Sequence, residues 1–217
     1  RPLLVFDMDG VLIDVSNSYR VAIKETSEEF TKAKVTLEEI QSFKEKGGYN
    51  NDWDLTRAII ESRGIRAERE KVIEAFQKRY LKLMPGEKWL FNKPLLKELS
   101  AQYRFVIFTG RPKSEAIFAL KNNQVETYFD AIIAMEDVGE QKPNPEGLLK
   151  LKEEYPSQEV CYFGDSVDDI TSAIKARVIP IGVLPPQNKS EQLKNLLQAA
   201  GAKKVLQDIS QIREALS

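Results

Sequence analysis

Two aspartates one residue apart, Asp7 and Asp9, close the apolar run Leu3-Leu4-Val5-Phe6, and Gly10 follows them. Residues two apart on an extended chain point the same way, so both carboxylates are expected to face one cavity. Neighbouring anions raise each other's pKa unless something positive stands beside them. The pair suits a bound metal ion and a division of labour, with one carboxylate as nucleophile and the other as proton carrier. A polar turn after a core strand would use the same residue types, since Asp and Gly are common turn formers. The pair alone leaves both readings open.

Three further segments carry residues able to do chemistry. Phe108-Thr109-Gly110-Arg111 offers a hydroxyl and a glycine whose N–H a phosphate can approach. Gln141-Lys142-Pro143-Asn144-Pro145 holds a lysine between a loop and two prolines. Phe163-Gly164-Asp165-Ser166-Val167-Asp168-Asp169 is an acidic cluster at the start of a helix. Carboxylates from the first and last segments make an all-oxygen site, which suits Mg²⁺ better than a softer metal. Lys142, the Thr109 hydroxyl and the glycine amides supply donors for phosphoryl oxygens. Singly, Thr109-Gly110 reads equally as a helix-entry turn, Lys142 as a solvated charge and Asp165 as an acid favoured by the helix dipole. Their common placement at strand ends argues for the functional reading.

Those ends belong to strands predicted near Val5 and at 105–108, 131–134, 160–163 and 178–181. Helical stretches near 113–123, 145–155 and 167–176 separate the later ones. This alternation implies right-handed βαβ crossovers and a parallel sheet, whose sites form outside the carboxyl ends of the strands. From Asp14 to about Met84 the pattern is helical instead. Thr36-Leu37-Glu38-Glu39 reads as a capping box. Asn51 or Asp52 can cap the next helix, with Leu55, Ile59 and Ile60 at helical spacing and Gly64 as its stop. Another helix runs through Val72, Phe76 and Tyr80 and ends at Pro85-Gly86. The block is therefore an insertion between the first and second strands. The expected organisation is an α/β core over 1–14 and 87–217 and a helical domain over 15–86.

Among 217 residues, 32 Lys and Arg nearly cancel 33 Asp and Glu, which gives no electrostatic case for nucleic acid or an anionic membrane. No segment approaches the roughly 20 apolar residues of a membrane span. No signal-peptide pattern opens the chain. The chain has no His, which excludes Ser-His-Asp, Cys-His and His–metal mechanisms. The lone Cys161, in an apolar run, reads as packing, and a cytoplasmic setting is expected.

The four segments, in this order and context, resemble the four motifs of the haloacid dehalogenase superfamily. The likeness covers the whole α/β core, and the insertion resembles the helical C1 cap of the phosphoglycolate phosphatase and β-phosphoglucomutase branch. It implies a Rossmann-like parallel sheet of order 5-4-1-2-3 beneath a mobile, all-helical cap. Because the insertion leaves after the first strand and returns before the second, its hinges are expected near Asp14–Ser16 and around residues 84–92. By position, Asp7 resembles the nucleophile and Asp9 the general acid/base. Thr109, with Gly110 and Arg111, matches the phosphate-binding segment, and Lys142 the charge-neutralising lysine. Asp165 matches the acidic Mg²⁺ ligand supported by Asp169, with Asp7 and the carbonyl of Asp9 completing the set. Where relatives often place Gly before the fifth strand, this chain has Arg177, which implies strain if that position is left-handed.

The second aspartate is lacking in the dehalogenases, so Asp9 points to phosphoryl transfer. The expected function is Mg²⁺-dependent hydrolysis of a small organic phosphate ester through an aspartyl-phosphate, by a monomer or weak homodimer. A phosphomutase of the β-phosphoglucomutase type commonly has a cap His, which this chain lacks. A phosphonatase would need a cap Lys, for which Lys44 and Lys46 are the candidates. A non-catalytic binding module is disfavoured by the intact motif set. Specificity is expected in the loop Gly47–Trp53, where Asn50 and Asn51 can hydrogen-bond a ligand and Trp53 can stack on it. The alternative is that Asn51 or Asp52 only caps a helix and Trp53 packs.

Overall fold

The computed structural model describes residues 1–46, 49 and 51–216, and the chain divides into two compact units. One comprises Arg1–Asp14 and Lys88–Ser217, the other Val15–Glu87.

The first unit is α/β. Its strands are β1 (Leu3–Phe6), a short β2 (Ile13–Asp14) and β3 (Lys88–Trp89), then β4 (Arg104–Phe108), β5 (Ala131–Ile133), β6 (Val160–Gly164), β7 (Ile179–Val183) and β8 (Lys204–Leu206). Six of them form one sheet of order β5-β4-β1-β6-β7-β8, in which every pairing is parallel. Within this sheet the five expected strands stand in the expected order, and β8 extends it by one edge strand. β1 is central, and all four of its side chains are buried, each worth on the order of 2 kcal/mol for leaving water. The Phe6 ring stacks on Phe163 at 5.1 Å and meets Phe105 edge-on at 5.4 Å, which ties β1 to both neighbours. From β1 the chain builds first towards β5 and later towards β8. That reversal places a crevice at the carboxyl end of β1.

Helices connect the strands of this unit. The expected ones are α6 (Lys113–Asn122), α7 (Glu146–Glu154) and α8 (Val167–Lys175), and sequence reading missed α5 (Lys93–Ser100) and α9 (Glu191–Ala199). Both missed helices carry start signals: Asn92 Oδ1 accepts from Leu95 N at 3.0 Å, and Ser190 Oγ accepts from Leu193 N at 3.1 Å. Gly147, at the start of α7, leaves room for the Phe108 ring, which a Cβ there would meet at 2.3 Å. At Arg177, φ is +55°, so the left-handed exit from α8 is made without glycine. Lys152 Nζ donates to the Ala176 carbonyl at 2.9 Å and covers that helix end.

The second unit is helical: α1 (Tyr19–Thr31), α2 (Leu37–Glu45), α3 (Asp52–Ser62) and α4 (Arg69–Leu83). Tyr19 stacks on Tyr80 at 4.1 Å, and Ile60, Ala67 and Val72 form a second apolar cluster. Thr36 caps α2 by accepting from Glu39 N at 3.1 Å. The Glu39 carboxylate goes to Arg63 at 2.7 Å, so an ion pair takes the group that a capping box would turn back on the helix start. At α3 it is Asn51 that caps, accepting from Trp53 N at 2.8 Å. Near the unit's ends, Ser18 Oγ donates to Glu87 at 2.6 Å. Among the described residues, no helix is long and apolar enough to cross a membrane.

Candidate active site

The carboxyl ends of β1, β4 and β6 bring the motif residues together. The ladder continues past β1, with Asp7 N donating to the Phe163 carbonyl at 2.9 Å, so the Asp7 backbone is fixed where its side chain leaves the sheet. Asp7 is 6% exposed and Lys142 5%, and Lys142 Nζ lies 3.1 Å from Asp7 Oδ1. The same ammonium lies 2.6 Å from Asp169 Oδ1 and donates to the Tyr162 hydroxyl at 3.0 Å. Tyr162 in turn donates to Asp169 Oδ1 at 2.7 Å.

Asp169 is the best satisfied member of the group. Its Oδ2 accepts from Asp165 N at 3.2 Å, Ser166 N at 3.0 Å and Ser166 Oγ at 2.6 Å. The Ser166 hydroxyl also accepts from Asp169 N, completing a capping box that starts α8. Gly164 is required beside it, because a Cβ there would lie 2.2 Å from Asp169 Cβ. Gly10 has φ +76°, and a Cβ there would lie 2.3 Å from Asp165 Oδ2. The glycine after the paired aspartates therefore turns the chain and also clears space for Asp165, the acid that follows β6.

The electrostatics follow from two buried acids sharing one cation. Burial alone would raise Asp169, but the Lys142 charge and the hydrogen bonds from Lys142, Ser166 and Tyr162 hold it below the ordinary carboxylate range. Asp7, more weakly served, is pushed up to about 7, chiefly by burial; Asp169 and Asp9 add to the rise and Lys142 opposes it. Burial works against the Lys142 charge, but Asp169 and Asp7 override it and raise its pKa above the usual lysine value. Tyr162 is raised well above the usual phenol range by burial and then by the two acids, so it stays a donor. Carboxylate oxygens of Asp7, Asp165 and Asp169 lie within 4.8 Å of one another. Three hard oxygen donors with excess negative charge fit a small hard cation such as Mg²⁺.

Asp9 and Arg111 pair with each other. The two aspartates do not share one partner: Arg111 Nε donates to Asp9 Oδ1 at 2.5 Å, whereas Lys142 serves Asp7. Arg111, expected among the phosphate ligands, has a fully buried side chain held in this ion pair, while the Asp9 side chain is 26% exposed. The reason is topological. β4 runs parallel beside β1, with Phe6 opposite Ile107, so the end of β4 faces the Asp9 turn. Thr109 is buried, and its Oγ1 accepts from Arg111 N at 3.2 Å.

In the helical unit, Trp53 is half-buried and Asn50 lies outside the described residues. Lys44 pairs with Asp52 at 3.1 Å, and Lys46 lies over the Phe43 ring at 4.7 Å. Cys161 is buried, with its thiol pushed up to about 11 mainly by burial, as a packing residue would be. Sequence reading missed Tyr162 and Ser166. A signal existed for each: a tyrosine in an otherwise apolar strand needs a partner for its hydroxyl, and Ser166-Val167-Asp168-Asp169 has the spacing of a capping box.

A sequence profile of the haloacid dehalogenase-like hydrolases matches residues 4–183. The chain belongs to that family and is an enzyme of the hydrolase type. It is 34% identical over 212 residues to an imidazoleglycerol-phosphate dehydratase of Phytophthora nicotianae, over 91% of this chain and 46% of that protein. The chain thus spans about half the length of that relative. It is also 27% identical over 201 residues to a phosphoglycolate phosphatase of Vibrio vulnificus, over 88% of this chain and 87% of the relative. A solved hydrolase from Pseudomonas syringae shares the fold at a TM-score of 0.78 and 19% identity, over 100% of this chain and 98% of that one.

Proposed function

We propose that this protein is a Mg²⁺-dependent phosphomonoester hydrolase that acts on a small organic phosphate through an aspartyl-phosphate on Asp7. One observation carries the reading: the oxygens of Asp7, Asp165 and Asp169 lie within 4.8 Å of one another. Asp7, Asp165 and Asp169 would hold the cation, which supplies positive charge against the transferring phosphoryl group. Lys142 offsets the repulsion between Asp7 and a phosphate dianion. The Thr109 hydroxyl and the Gly110 amide stand in the segment that would hold phosphoryl oxygens.

A carboxylate oxygen of Asp7 attacks phosphorus as the ester P–O bond breaks, and Asp9 gives a proton to the departing alkoxide. Water then attacks the phosphorus of the acyl phosphate and passes its proton to Asp9. Inorganic phosphate leaves and the Asp7 carboxylate is restored. The Lys44–Asp52 ion pair weighs against Schiff-base chemistry at that lysine.

The test is a phosphate-release screen with and without Mg²⁺ over sugar phosphates, phosphoglycolate, amino-alcohol phosphates and an imidazole-bearing phosphomonoester. The last is included because the Phytophthora relative is named an imidazoleglycerol-phosphate dehydratase. Mg²⁺-dependent release by the parent protein, abolished in Asp7→Asn, is expected. Release at the parental rate by Asp7→Asn would exclude Asp7 as nucleophile.

A further inference from the structure

We infer that Arg111 is a positioning residue for Asp9: it fixes the proton-transferring carboxylate and does not serve as a phosphate ligand. The inference rests on the proposed phosphatase reading. The Asp9 backbone is held in its turn, since Gly10 N donates to the Ile13 carbonyl at 2.8 Å and Asp9 forms a β-bridge to Ile13. That leaves the carboxylate its two side-chain torsions, χ1 with staggered wells and χ2 broad. Arg111 Nε, 2.5 Å from Asp9 Oδ1, selects one setting of the two.

Arg111 is itself anchored. Its backbone N donates to Thr109 Oγ1 at 3.2 Å, and its carbonyl accepts from Met135 N at 2.9 Å. Its guanidinium is fully buried. A buried guanidinium without an anion would be strongly destabilising, so the pair holds each partner in place. The geometry joins the turn after β1 to the turn after β4, with the arginine facing the acid–base group.

The experiment compares the parent with Arg111→Met, Arg111→Lys, Asp9→Asn and the Asp9→Asn/Arg111→Met double variant, in Mg²⁺. Phosphomonoesters with leaving groups of graded basicity are the substrates. If Arg111 acts through Asp9, Arg111→Met lowers kcat at least tenfold with KM within about twofold, and the loss is largest for the most basic leaving groups. The burst of p-nitrophenol from p-nitrophenyl phosphate survives while phosphate release slows, because that leaving group needs little proton donation. The double variant is then no slower than Asp9→Asn alone, since coupled residues are not additive.

Arg111→Lys recovers only part of the loss, as an ammonium lacks the planar fork, and it gives the same readout if Arg111→Met fails to fold. A raised KM for every ester with kcat unchanged would overturn the inference and make Arg111 a phosphate ligand. Additive losses in the double variant would overturn it as well. Failure of the underlying reading looks different: the parent would release no phosphate, or Asp7→Asn would match it.

Discussion

The carboxylate cluster at the end of β1 and the first helix of the helical unit both bury polar groups, but they satisfy them differently. In the cluster, Lys142, Asp169, Tyr162 and Ser166 hydrogen-bond one another. In α1, the hydroxyls of Thr26 and Ser27 are buried with no hydrogen-bond partner among the described residues. A buried polar atom without a partner costs about 1–3 kcal/mol, and a buried charge costs more. The cluster therefore places its expensive groups where each supports another, and they support the residues read here as catalytic. The α1 hydroxyls support nothing comparable.

The contrast can be broken most sharply at Lys142. Lys142→Met leaves Asp7 and Asp169 buried without their shared cation, and a loss of about 3–5 kcal/mol is expected in urea unfolding with chelator present. A loss below about 1 kcal/mol would mean that the network is loosely coupled. Gly164→Ala tests the packing beneath the same cluster. Its Cβ would collide with Asp169, so a loss of about 1–3 kcal/mol is expected, together with weaker Mg²⁺ activation. An unchanged activation constant would show that Asp169 can move freely.

In α1 the sign reverses. Thr26→Val keeps the shape and removes an unpartnered hydroxyl, so a gain of about 1 kcal/mol in urea unfolding is expected, without a change in kcat. A loss would show that the hydroxyl is served after all. Arg177→Gly, remote from the network, relieves a left-handed residue, and a gain of up to about 1 kcal/mol in the same measurement is the smallest effect expected. A loss there would show that the Arg177 side chain contributes more than its backbone strain costs.

Much of the site was legible because its groups sit at strand ends, where short local signatures mark them. Asp7, Lys142, Asp165 and Asp169 meet as their segments suggested. The role of Arg111 was not legible. Its partner lies about a hundred positions away in sequence, and only the packing of β4 beside β1 puts the two together. Asp7 and Asp9 take different cations, Lys142 and Arg111, and Asp9 lies beyond the end of β1. In the fold, the sheet order was expected from the resemblance, while β8 escaped because three residues are too few to show a periodicity. The segment around Asn51 offers less. Asn51 is used as a helix cap, which is the plainer of its two expected roles.

The small ribbon of β2 and β3 has a consequence for how such a chain can be altered. Ile13 pairs with Trp89, and Leu90 N donates to the Leu12 carbonyl at 2.8 Å, so the chain leaves and re-enters the α/β unit at adjoining residues. The helical unit has its own latch in the Ser18–Glu87 hydrogen bond. Between them the chain crosses only at 14–15 and 87–88. For the parallel sheet, the insert amounts to a long loop whose ends are already pinned, and loop length alone adds little to the entropic cost of closure. The ribbon is thus a natural splice point, where another helical segment can be exchanged for this one while the sheet keeps its strand order.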